Sequence, residues 1–97
     1  RCLEHIHRNY ASSLTTVDLA RVACMERSHF TRTFHECFGS PPMEFVRNHR
    51  VRMAQELLVR TDKSIKQIAT ETGFYDAGHF SRTFKEITGR TPRDVRR

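Results

Sequence analysis

The chain has no tryptophan, four glycines, three prolines and three cysteines in 97 residues. Each scarcity excludes something. Three cysteines (Cys2, Cys24, Cys37) are an odd number with no C-x-x-C pair. That argues against a disulfide framework and fits a reducing compartment. No apolar run is long enough to span a membrane, and no signal peptide is visible. A glycine-rich phosphate loop for a nucleotide is missing. Strand-like alternation is missing as well, so the chain reads as all-α. Acids are outnumbered: 11 Asp and Glu stand against 17 Lys and Arg, and the formal net charge is +6. Such a balance favours polyanionic partners such as nucleic acid and says nothing about fold. The length fits one compact domain or two small subdomains. Because the chain starts at Arg1 and its first residues already look helical, it is expected to be a fragment of a longer protein.

What is present is a repeat. His29-Phe30-Thr31-Arg32-Thr33-Phe34-His35-Glu36, then Gly39 and Pro42, recurs 50 residues later. The second copy is His79-Phe80-Ser81-Arg82-Thr83-Phe84-Lys85-Glu86, then Gly89 and Pro92. Eight of the 14 aligned positions are identical, so one supersecondary unit is used twice.

Helical period runs through both copies. Leu3, Ile6 and Tyr10 suggest a first helix. Thr15 followed by Asp18 is a helix-start signature, and Leu19, Val22 and Ala23 follow at helical spacing. A turn at Met25-Glu26-Arg27 leads to a helix from about Arg27 to Phe38, which Gly39 stops. The segment from Pro42 to about Arg60 has no internal glycine or proline and reads as one long helix. Ser64 with Gln67 is a second capping-box signature, and Ile65, Ile68 and Ala69 supply an apolar face. Asp76 is placed to cap a helix from Ala77 to about Thr88, which Gly89 stops. Thr91-Pro92 with Asp94 starts a short last helix. Each copy is thus a short helix, a tight turn and a second helix, the helix-turn-helix unit. The second turn is one residue longer, and Gly73 is expected to accommodate it.

On a helical wheel, Phe30, Phe34, Cys37 and Phe38 fall on one stripe, and Phe80, Phe84 and Ile87 on its counterpart. These are the expected core residues. Ser28, Thr31, Arg32 and His35 face the other way, as do Gly78, Ser81, Arg82 and Lys85. Short, polar and basic is the chemistry a helix needs in a DNA major groove, with Arg suited to guanine edges and Ser or Thr to either base type. Arg32 and Arg82 are expected to touch bases or phosphates. His29 and His79, near the helix starts, are expected to touch phosphate or to pack. Glu36 and Glu86 are expected to pair with a neighbouring Arg or Lys.

With these residues in place, the chain resembles the C-terminal DNA-binding domain of AraC/XylS-family transcription regulators. The likeness covers nearly the whole chain. It is strongest over Ile68-Ala69, Gly73-Phe74, Phe80-Ser81-Arg82-Thr83-Phe84-Lys85, Gly89 and Pro92, while Arg50, Ala54 and Leu58 look like the family's linker helix. The resemblance implies about seven helices. A first helix-turn-helix subdomain would occupy about residues 1–40, a linker helix 41–60 and a second subdomain 61–97. A separate N-terminal effector or dimerisation domain is implied and lies outside this fragment. By position, the first reading helix would offer Glu26, Arg27, Ser28, Thr31 and Arg32, and the second Asp76, Ala77, Gly78, Ser81 and Arg82. Gly78 departs from a side-chain reader, so discrimination is expected to rest more on the first unit. The implied partners are promoter or operator DNA, RNA polymerase, and a small-molecule effector through the other domain, in the bacterial cytoplasm. A linker of about 17 residues would be about 25 Å long, and a monomer reading an asymmetric site of about two helical turns is expected.

Rival readings are weaker. Cys24 and Cys37 occupy apolar or core-flanking positions and lack the activating base that a cysteine nucleophile needs, so no enzyme is expected. Zinc held by Cys24, His29, His35 and Cys37 fails on spacing, and neither metal nor cofactor is expected. A helical protein-interaction module would call for an exposed apolar patch. RNA reading would call for an exposed aromatic platform.

Overall fold

The computed structural model describes residues 2–96. These form seven helices: α1 (Cys2–Asn9), α2 (Thr16–Val22), α3 (Arg27–Phe38), α4 (Pro42–Arg60), α5 (Ile65–Glu71), α6 (Ala77–Thr88) and α7 (Pro92–Arg96). Contacts divide the chain into two units, Arg1–Arg47 and Asn48–Arg97, and the division falls inside α4.

In the first unit, Ile6, Leu19, Ala20, Phe30, Phe34 and Val46 form the core, with Met25, Met43 and Phe45 packed against it. Of the α1 face expected from sequence, only Ile6 is fully buried, and the helix ends one residue before Tyr10. The α2 start is as read: the Thr15 hydroxyl accepts from the Asp18 N–H at 3.1 Å, and the Asp18 carboxylate accepts from the Thr15 N–H at 3.0 Å. Two of the otherwise orphaned donors at a helix start are thereby satisfied.

In the second unit, Val51, Ala54, Leu58, Ile68, Ala69, Phe74, Phe80 and Phe84 form the core. Ser64 caps α5 by accepting from the Gln67 N–H at 3.0 Å. Unlike Thr15, it has no return bond from the third helical residue. The full reciprocal box recurs instead at α7, between Thr91 and Asp94, with Pro92 at the first helical position, where its missing N–H costs nothing.

The turns correct one expectation. Gly73 does not absorb the extra residue of the second unit. In the first turn the Met25 N–H donates to the Ala20 carbonyl at 2.9 Å, and in the second the Phe74 N–H donates to the Ala69 carbonyl at 3.0 Å. Both loops close over the same five-residue span, and each passes through one left-handed residue, Cys24 at φ +58° and Gly73 at φ +90°. The added residue comes later, between Phe74 and the α6 cap Asp76; it is Tyr75, 90% exposed.

The core stripes also need correcting at their C-terminal ends. Cys37 is exposed, Phe38 is 44% exposed and Ile87 is 37% exposed. Phe34 and Phe84 already fill the two cores, and the next turn of each helix runs past the core's edge. Phe38 keeps partial cover by lying against Phe34 and Phe45, with ring centroids 4.6 and 5.9 Å away.

Candidate nucleic-acid interface

The repeat fixes matching surroundings for α3 and α6. Both end on a left-handed glycine, Gly39 (φ +81°) and Gly89 (φ +80°), whose N–H groups donate to the His35 and Lys85 carbonyls at 2.8 Å. α3 buries Phe30 and Phe34, α6 buries Phe80 and Phe84, and both turn the opposite face to solvent. They differ at the start. Asp76 caps α6, its carboxylate accepting from the His79 N–H at 2.7 Å. Glu26 occupies the same place before α3 without a side-chain cap, because its longer chain does not favour that local bond.

In front of α3 lies an open depression of about 430 Å³ lined by Thr16, Arg27, Ser28, Thr31 and Arg32. Four of these five were singled out from sequence; Thr16, at the start of α2, was not. Glu26, just before α3, and His35, on it, are exposed outside the lining. The Thr31 hydroxyl donates to the Arg27 carbonyl at 2.9 Å, which leaves its oxygen lone pairs available as acceptors.

A depression in the same place fronts α6. It measures about 680 Å³ and is lined by Ser64, Ile65, Lys66, Ala77, Gly78, Ser81, Thr91, Pro92 and Arg93. Ala77, Gly78 and Ser81 come together there as expected. Lys66, Thr91 and Arg93 were missed, because they lie on α5 and at the start of α7, which only the tertiary fold brings to this groove. Asp76, His79, Arg82 and Lys85 are exposed but outside its lining. His79 lies against Phe74, ring centroids 5.7 Å apart. The room left by Gly78 is not empty. A Cβ there would sit 3.4 Å from Arg82 Nη1 and 3.5 Å from Asp76 Oδ1, so the Arg82 guanidinium folds back over the first turn of α6.

The expected pairing of Glu36 and Glu86 with basic neighbours is not made. Ion pairs do form elsewhere, between Arg60 and Glu56 at 3.8 Å and between Lys63 and Glu71 at 2.7 Å. An exposed pair gains little over two hydrated side chains, so nothing compels Glu36 or Glu86 to close one. Burial pushes the Cys2 thiol up, away from thiolate. The four residues weighed for zinc do not converge: among the described residues, no three His, Cys, Asp or Glu side chains could share a metal ion. No helix among them is long and apolar enough to cross a membrane.

A model of a helix-turn-helix domain matches residues 19–97. A solved Chromobacterium violaceum transcriptional regulator, of the AraC-type DNA-binding domain-containing proteins, is 32% identical with a TM-score of 0.91, over 98% of this chain and 85% of that one. This chain belongs to the AraC-type helix-turn-helix family. The DNA-binding domain of AdpA, solved in complex with a target DNA, is similar at 27% identity and a TM-score of 0.94, over 98% of this chain and 86% of that chain. Among curated relatives, the bifunctional transcriptional activator and DNA repair enzyme AdaA of Bacillus subtilis is 35% identical over 92% of this chain and 42% of its own length. The transcriptional regulator ArgR of Pseudomonas aeruginosa is 33% identical over 91% of this chain and 27% of its own length. The chain thus spans less than half the length of these curated relatives.

Proposed function

We propose that this chain is the sequence-specific, double-stranded-DNA-binding part of a bacterial transcription regulator, with α3 and α6 as its reading helices. One observation carries the reading. An open depression bearing basic and hydroxyl side chains recurs at the front of the second helix in both units, on the face turned away from each core. A similar fold carries DNA in the AdpA complex.

Within this reading, Arg27, Ser28, Thr31 and Arg32 contact bases and phosphates from the first unit. Ser81 and Arg82 do so from the second, with Ala77 and Gly78 allowing close approach and Lys85 contacting phosphate. His79, packed on Phe74, contributes to phosphate contact at the α6 start. Glu26, His35 and Asp76 border the contact surface, Asp76 chiefly as a helix cap. Residues 41–60 serve as the linker between the reading units of about 1–40 and 61–97. The whole protein would act in the bacterial cytoplasm, on the nucleoid, as an activator that contacts RNA polymerase, with an effector or dimerisation domain elsewhere in its sequence.

The test is selection of preferred sites from a randomised duplex library at near-physiological salt. The expected result is an asymmetric motif with two blocks about one helical turn apart. Repeating it with Arg32→Ala should degrade the first block and with Arg82→Ala the second, neither lowering the melting temperature as a core change does. No binding at any salt would overturn the reading and favour a protein-interaction module, with half-exposed Phe38 and Ile87 as its contacts.

A further inference from the structure

The two depressions are built alike but charged differently. The units align with an offset of 49 residues up to the turn, as the matching loop closures at Met25 and Phe74 show. After Tyr75 the offset is 50, as between the Glu26 and Asp76 caps. Arg27 and Ser28, on the front of α3, become Ala77 and Gly78 on α6. Val17, on α2, becomes Lys66 on α5, and Met43, at the start of α4, becomes Arg93 on α7. In the first unit the cations lining the groove, Arg27 and Arg32, stand on the reading helix itself. In the second, the lining cations are Lys66 and Arg93, on the helices either side of a stretch of α6 without long side chains.

The fold gives neither cation a reason to be there. Lys66 and Arg93 are exposed, and neither side chain has an ion-pair or hydrogen-bond partner among the described residues. Lys63, Arg90 and Arg96 of this unit are committed, Lys63 to Glu71, Arg90 to the Asp94 carbonyl and Arg96 to three backbone carbonyls. Arg52, Arg82 and Lys85 are exposed like Lys66 and Arg93, but of these five only Lys66 and Arg93 line the groove. Gly78 has the same lack of structural cause. It is a helical residue outside the left-handed region, and a Cβ would meet ordinary contact distances. Glycine in a helix is nonetheless less stable than alanine. A helix front lined by Ala77, Gly78 and Ser81, with the exposed Arg82 side chain folded over its first turn and a cation on either side, matches the sugar-phosphate edges of a groove that the helix enters closely.

We infer that Lys66 and Arg93 are phosphate-contacting residues, and that the second unit grips the DNA backbone through them while the first supplies most of the base reading. The inference rests on the DNA-binding function proposed above. Each neutralised phosphate contributes about 0.9 to the slope of log affinity against log salt. Backbone contacts of this kind carry no direct sequence information.

The experiment is a salt titration of this chain on its selected duplex, from about 50 to 300 mM, for wild type, the double variant Lys66→Ala/Arg93→Ala, and Arg27→Ala. The double variant should lose about 1.8 from the slope while the base preferences across the library stay as in wild type. Arg27→Ala should alter the first block. An unchanged slope, or a second block whose preferred bases change, would overturn the assignment. Both side chains are exposed, so the thermal melt of the double variant should match wild type, and a lowered melt would overturn their purely surface role. Failure of wild type to bind any duplex would instead sink the underlying reading.

Discussion

At the residue scale, Cys24 carries the clearest strain. Its φ of +58° lies in the left-handed region, where a side chain costs about 1–2 kcal/mol. The equivalent position in the second turn is Gly73, which adopts φ +90° with no Cβ to clash. Cys24 is exposed, so its thiol contributes no packing that would be lost. Cys24→Gly should therefore stabilise the chain by about 0.5–1 kcal/mol, once glycine's larger unfolded-state entropy is set against the relieved strain. Thermal unfolding should show a rise of a few degrees; a fall would mean that the strain estimate is wrong. Sequence alone placed Cys24 on an apolar or core-flanking position. Side-chain type could not reveal the backbone conformation, which is set by the loop closure between Ala20 and Met25.

At the element scale, α4 and α7 show how far one side chain can reach. Arg96 Nε donates to the Leu58 carbonyl at 3.2 Å and Nη2 to the Thr61 carbonyl at 2.9 Å, while Nη1 bonds the Lys63 carbonyl. These acceptors end α4 and begin the loop to α5, where carbonyls have no helical partner. A fixed, planar set of donors suits that task. Arg96→Ala should destabilise the second unit by about 1.5–3 kcal/mol, the usual range for hydrogen bonds to a charged group. Arg96→Lys should not restore the loss, because one ammonium cannot span the same three carbonyls. Denaturant titrations of both variants would check this, and full rescue by lysine would refute it. The helices themselves were legible almost to the residue, since Thr15, Ser64, Asp76, Gly39 and Gly89 act through bonds within one turn of their own position. The Arg96 clasp was not legible, because its partners lie 33 to 38 residues away.

At the scale of the whole molecule, each unit has its own buried cluster, centred on Phe30 and Phe34 in one and on Phe80 and Phe84 in the other. Phe84 is fully buried. Phe84→Ala should cost about 3–5 kcal/mol, as large core truncations do. Amide exchange should show lost protection concentrated in residues 48–97; equal loss across residues 2–47 would mean that the two cores do not open separately. Phe38→Ala, at a half-exposed position, should cost much less.

The repeat, the helix ends and the outward basic face were all determined by the sequence itself, because period, caps and residue type are local properties that a single chain displays in one dimension. Only the tertiary structure decided which apolar positions the cores have room for, excluding Cys37, Phe38 and Ile87. It also decided which residues from separate helices share a groove, bringing Thr16 to α3 and Lys66 and Arg93 to α6. Core volume and groove lining depend on how elements pack in three dimensions, and helical period within one element does not encode either.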